Sequence, residues 1–131
     1  MATYAIGDVH GCYDALQKLL LHIDYRPDRD RLIFMGDLVN TGPDSLQVLR
    51  FIAALKNVKV ILGNHDLVLL AQGFQAIPKL KKNFKVICQA DDGEVLLHWL
   101  RHQSLLYHDA TTNAVFVHAG LPPQWSTQQA A

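Results

Sequence analysis

Short apolar runs that end in glycine recur along the chain, and helical patterns fill the intervals between them. Tyr4-Ala5-Ile6 leads into Gly7, and Leu32-Ile33-Phe34-Met35 into Gly36. Val58 to Leu62, broken only by Lys59, leads into Gly63, and Val115-Phe116-Val117 leads into His118-Ala119-Gly120. Each run is rich in Val, Ile or Phe and alternates little with polar residues, the pattern of a strand covered on both faces in a parallel sheet. In the segment Cys12 to Ile23, Leu16, Leu19, Leu20 and Ile23 fall at helical spacing. Asp44 or Ser45 can cap a second helix reaching Lys56, with Leu46, Leu49, Phe51 to Ala53 and Leu55 apolar. Asp66 to Ala71 predicts a third helix, and Glu94 to His102 a fourth that carries Leu96, Leu97 and Leu100. The alternation predicts an α/β protein with a βαβαβ core, residues 1–131 forming one domain.

Gly73 to Asp92 shows no clear period and mixes Pro78 with Lys79, Lys81, Lys82 and Lys85. A solvated surface excursion is expected there, or alternatively a mobile lid on the substrate side. Near the end, Ser126 or Thr127 followed by Gln-Gln-Ala-Ala reads as a helix cap and its first turn, after which the chain stops. The expectation is a chain truncated before the second half of its domain.

Composition narrows the partners. Lys plus Arg (12) balances Asp plus Glu (12), so the formal net charge is zero. A protein that neutralises many phosphates of a long nucleic acid carries a basic excess, so that partner is not expected. A small phosphorylated ligand gripped through metal ions remains open. Cys12 and Cys88 are far apart and fit no metal or disulfide spacing, which predicts reduced thiols. The N-terminus has no basic segment before an apolar one, and no 18-residue apolar window exists, so a cytoplasmic protein without membrane contact is expected.

The candidate chemistry sits where the apolar runs end. Asp8-Val9-His10, Asp37, Asn64-His65-Asp66 and His118 follow the four runs. In an open α/β sheet, ligands bind beyond the carboxyl ends of the strands, so the topology brings these segments together. Carboxylate, imidazole and amide oxygen suit Mn²⁺, Fe, Co²⁺ or Zn²⁺. Each piece alone has an ordinary reading as a helix cap, a turn residue or a core histidine. Four such pieces at four strand ends make a metal centre the stronger reading. His98 and His102 stand one helical turn apart, but Trp99 occupies the place of the glutamate that a zinc-protease helix needs, and a solvated helix face is expected.

Gly7-Asp8-Val9-His10-Gly11, Gly36-Asp37-Leu38-Val39, Gly63-Asn64-His65-Asp66 and Val117-His118-Ala119-Gly120 resemble, in order, the motifs of the calcineurin-like metallophosphoesterases. Within that superfamily the chain is most similar to the N-terminal half of the bacterial symmetrical diadenosine tetraphosphatases. The resemblance implies a sandwich fold and hydrolysis by a water activated between two divalent metal ions, Mn²⁺, Co²⁺ or Fe, with Zn²⁺ as a further candidate. It implies that Asp8, His10 and Asp37 hold the first metal, that Asp37 bridges, and that Asn64 and His118 hold the second. It places His65 and Asp66 at the catalytic centre, His65 as proton donor to the leaving oxygen and Asp66 opening the helix behind it, with Asn64 and His65 facing the substrate. The implied substrate is a dinucleoside polyphosphate, diadenosine tetraphosphate cleaved to two ADP, within nucleotide metabolism.

Three departures bear on that reading. Relatives have an arginine that clamps phosphate where this chain has Thr41, leaving Arg101 and the lysines of 79–85 as substitutes. Protein phosphatases carry an aspartate at position 40, here Asn40, which turns the reading away from them. The Gly-His motif that completes the second metal site in relatives does not follow residue 120. The alternatives are therefore another small nucleotide or a phosphoprotein as substrate, or a metal-binding remnant with impaired catalysis. Half a sandwich would also expose an apolar sheet face, through which copies would self-associate.

Overall fold

Leu32, Ile33 and Phe34 are fully buried because their strand lies at the centre of a three-stranded sheet. The computed structural model describes residues 1–77 and 81–131. Strands β1 (Thr3–Ile6), β2 (Arg31–Phe34) and β3 (Val58–Val60) run parallel in the order β1-β2-β3. Thr3 stands opposite Arg31, and Leu32 opposite Val58. This is the expected βαβαβ core, but only the central β2 is covered on both faces as its unalternating apolar run requires; Thr3 and Ala5 of β1 are exposed, and β3 is fully buried only at Val60.

The crossovers are α1 (Tyr13–His22) and α2 (Ser45–Ala54); α3 (Asn64–Gly73), α4 (Lys82–Gln89) and α5 (Gly93–Arg101) follow β3. Helix α1 packs on α2, α2 on α4 and α5, and α3 on α4 and α5, so the helices form one connected layer. Leu16 and Leu20 of α1, and Val48, Leu49 and Ile52 of α2, supply its buried stripe. Asp44 takes the N-cap position of α2 without a side-chain cap bond, and the Ser45 hydroxyl instead accepts the Asn40 N–H at 2.9 Å. Trp99 is half-buried against the core.

Two expectations are corrected. The stretch from Gly73 to Asp92 is not only a surface excursion: α4 lies within it and buries Phe84 and Ile87 completely. One turn of helix separates these two side chains, and burying each stabilises the fold by roughly 1.5–3 kcal/mol. Lys79 and Pro78 lie outside the described residues. Val115 to Val117 does not join the parallel sheet. It forms β5 (Ala114–Val117), antiparallel to β4 (Leu106–Asp109) in a separate two-stranded sheet, and β5 is only half-buried. The hairpin is tied to β2 by Arg31, whose guanidinium donates to both carboxylate oxygens of Asp109 at 3.2 and 2.8 Å. At the C-terminal end the expected cap forms, as Ser126 Oγ accepts the Gln129 N–H at the start of α6 (Thr127–Ala130). No helix among the described residues is long and apolar enough to cross a membrane.

Candidate metal centre

The loops leaving β1 and β2 are laced together by their backbones. The N–H groups of Val9 and His10 donate to the Asp37 carbonyl at 3.1 and 2.9 Å, and Gly11 N–H to the Leu38 carbonyl at 2.8 Å. In return, Gly42 and Asp44 donate to the His10 and Gly11 carbonyls at 2.7 and 2.9 Å. His10, Asp37, Asn40 and Thr41 all take left-handed backbone conformations, with φ of 51, 55, 73 and 74°. Such conformations cost energy for non-glycine residues and persist where the surroundings enforce them, as these interlocked loops do. Close approach explains Gly36: a Cβ there would lie 2.7 Å from the Gly63 nitrogen and 2.8 Å from His118 Nδ1.

Two imidazoles are oriented by backbone carbonyls. His118 Nδ1 lies 2.8 Å from the Met35 carbonyl, and His10 Nδ1 lies 3.2 Å from the Val39 carbonyl. A carbonyl only accepts, so Nδ1 carries the proton in each ring and the neutral ring leaves a bare lone pair on Nε2. Both Nε2 atoms face the same carboxylate. His118 Nε2 is 3.3 Å and His10 Nε2 3.8 Å from Asp37 Oδ2, and His10 Nε2 is 3.4 Å from Asp8 Oδ2. Asn64 Oδ1 adds another acceptor, 3.2 Å from His118 Nε2. Half a turn of that amide lets its nitrogen donate to Asp37 and His118 at 3.2–3.3 Å.

Potential ligand atoms therefore converge around an Asp37 side chain that is 5% exposed. Asp8, Asp37 and His118 offer ligand atoms within 4.8 Å of one another, and so do His10, Asp37 and His65. Carboxylate, imidazole and amide oxygen of this kind fit divalent transition metals, and the two groups share Asp37. All five residues expected to hold metal, Asp8, His10, Asp37, Asn64 and His118, are thus brought together.

His65 stands beside them. Its ring meets His10 edge-on with centroids 4.8 Å apart, its Nδ1 lies 2.9 Å from Asn40 Nδ2, and its backbone N–H donates to Asp37 Oδ1 at 2.9 Å. Asp66 is placed differently from the rest. It is fully buried, stands in neither ligand group, and accepts the backbone N–H of Asp37, Leu38 and Gly63 at 2.8, 2.9 and 2.9 Å. Burial pushes its carboxyl up, while these three donors pull it down. Its position is that of a clasp between the second and third loops rather than of a group at the reacting centre. Two of the substitutes for a phosphate-clamping arginine are engaged elsewhere, Arg101 over the Phe74 ring and Lys81 over Phe84, while Lys82 and Lys85 are exposed on α4. His98 and His102 share no ligand geometry, since His102 Nδ1 bonds the His98 carbonyl and His98 meets Phe74 edge-on. The carbonyls of Met35 and Val39 had no signature in the sequence. Asn40 had one only as a turn residue that tolerates positive φ.

Residues 1–129 match the family model of the calcineurin-like phosphoesterases. A curated protein of Cellvibrio japonicus, named bis(5'-nucleosyl)-tetraphosphatase, symmetrical, is 50% identical over 132 residues, covering 99% of this chain and 49% of its own length. One of the same name from Coxiella burnetii is 49% identical over 129 residues, covering 97% of this chain and 44% of its own length. The chain thus spans about half the length of the curated relatives it matches. A crystal structure provisionally assigned as a diadenosine tetraphosphatase superposes with a TM-score of 0.81 at 30% identity, over 97% of this chain and 54% of that one. A metallophosphoesterase structure from Sphaerobacter thermophilus shares the fold at a TM-score of 0.59 and 21% identity, over 82% of this chain and 42% of that one.

Proposed function

Because this chain belongs to the calcineurin-like phosphoesterases, we propose that its cluster holds two divalent cations and that the protein hydrolyses diadenosine tetraphosphate symmetrically to two ADP. The observation that carries the metal reading is the convergence of two carbonyl-oriented imidazoles on the buried Asp37 carboxylate. The name shared by relatives about 50% identical supports the substrate. Manganese, cobalt or iron suits the donor set best, with zinc as a further candidate, and the cytoplasm is the expected compartment.

Asp8, His10 and Asp37 would hold one cation, and Asp37, Asn64 and His118 the other. When bound, such a pair neutralises phosphoryl charge and lowers the pKa of the attacking water. The chain's own residues then orient and move protons. Met35 and Val39 keep the Nε2 lone pairs of His118 and His10 aimed inward. With the Asn40 amide nitrogen at Nδ1, His65 carries its ring proton on Nε2, the atom free to serve a leaving phosphate oxygen. Asp66 holds the two loops in register from behind.

Chromatography of the products from manganese-loaded protein and diadenosine tetraphosphate tests the reading. ADP alone is the expected product. A mixture of ATP and AMP would exclude symmetrical attack, and ADP-free turnover of phosphopeptide would move the protein to a different substrate class.

A further inference from the structure

Beside the metal cluster, between β1 and the N-terminal half of α1, lies a cavity of about 460 Å³. Its walls are Ile6, Val9, Ala15, Leu16 and Leu19. Asp8 and His10 line it as well, so cavity and ligand cluster share two residues. The size is within the ~300–1,000 Å³ usual for small-molecule sites. Leu19 is 41% exposed, a large apolar surface left uncovered at the edge of a charged cluster.

We propose that this cavity seats the nucleoside part of a nucleotide whose phosphates lie on the Asp8–His10 cluster, and that it does so without reading the identity of the base. The inference rests on the phosphoesterase reading above and names where the organic half of the substrate goes. A phosphate chain anchored on cations that Asp8 and His10 would hold leaves its nucleoside close to the Ile6–Leu19 wall, where a flat ring removes apolar surface from water. Apart from Asp8 and His10, the polar groups available there are the Thr41 hydroxyl and the Cys12 thiol. Strong discrimination between bases requires buried polar partners left unpaired by the wrong base, and an apolar wall cannot supply that penalty. The cavity therefore contributes affinity and little selectivity.

Isothermal titration of the manganese-loaded chain with ADP, GDP, UDP and inorganic pyrophosphate tests this without requiring turnover. ADP should bind about tenfold or more tightly than pyrophosphate, and GDP within roughly threefold of ADP, as apolar contact without edge recognition implies. Ala15→Trp, which fills the cavity from an exposed position on α1, should bring ADP down to the pyrophosphate affinity while leaving pyrophosphate and manganese binding unchanged. Leu19→Gln should do the same more weakly. Equal affinities for ADP and pyrophosphate in the unaltered chain would overturn the proposal. So would an Ala15→Trp variant, folded by circular dichroism, that keeps full ADP affinity. If Ala15→Trp instead splits a dimer seen by light scattering and spares ADP, the cavity is a contact between copies and the proposal is wrong. Absence of any metal-dependent pyrophosphate binding would reject the phosphoesterase reading itself, and this inference with it.

Discussion

The Asp37 carboxylate is almost fully buried and faces the Nε2 atoms of two imidazoles, where a cation held between them would offset the cost of burying its charge. Around it the side-chain roles separate cleanly enough to be tested one at a time. His65→Ala should keep its metal and lose turnover by roughly 10²–10⁴-fold, the usual contribution of a positioned proton donor. Asn40 is informative because two replacements divide its backbone and side-chain functions. Asn40→Gly keeps the left-handed conformation and removes the His65 partner, so it should lower kcat with metal content unchanged. Asn40→Asp offers Nδ1 an acceptor in place of a donor, so it should restore kcat only at pH low enough to protonate both ring nitrogens, a pH dependence that a purely structural role for Asn40 would not predict. Thr41 is a β-branched residue in the same strained region, so Thr41→Asn should stabilise the fold by about 0.5–1 kcal/mol in urea denaturation. The ligand types at each strand end were readable from the sequence because carboxylates and imidazoles have few other reasons to gather there. The carbonyls that orient the rings were not, since every residue has one.

Helices and hairpins show where reading by pattern stops. The parallel strands were legible because burial on both faces leaves an unbroken apolar run, as in Leu32 to Phe34. Val115 to Val117 looks the same over three residues, yet it pairs antiparallel with β4, whose Leu-Tyr-His-Asp sequence carries no comparable signal. Helix α4 was hidden by its lysines, which form the solvent face of a helix whose other face is Phe84 and Ile87. Phe84→Ala should cost ~3–5 kcal/mol of unfolding free energy, whereas a surface excursion would lose almost nothing. Asp66 holds loops rather than substrate, so Asp66→Ala should cost about 1–3 kcal/mol through its orphaned N–H partners and loosen the metal site with it. The hairpin's attachment has a pH signature. The Arg31 guanidinium, aided by Thr112, holds the Asp109 carboxyl well below the usual carboxylate range. A folded pKa below the unfolded 3.8 means that this stabilisation is present above pH 3.8 and is lost as pH falls through the folded value. Asp109→Asn should therefore lower the melting temperature by several degrees near neutrality and flatten the acid limb of stability against pH. Asp66 works in the opposite sense, because burial raises its carboxyl and that contribution erodes stability as pH climbs from the unfolded value through the raised folded one.

The architecture explains why residues as distant as Asp8 and His118 meet. Three parallel strands point their carboxyl ends the same way, and the β4–β5 hairpin delivers His118 back to the Met35 carbonyl at the end of β2. Convergence is thus a property of topology, which the order of apolar runs and glycines already implied, even though the fourth run reaches the site by a different route. Interlocked loops at strained φ values hold the arrangement together. Elemental analysis of metal per chain, on protein exchanged into manganese and compared with Asp37→Asn, tests the shared-carboxylate centre most directly. About two ions per chain are expected in the unaltered protein, falling below about one in a variant whose circular dichroism is unchanged. An Asp37→Asn protein that retains its full metal content would contradict the account.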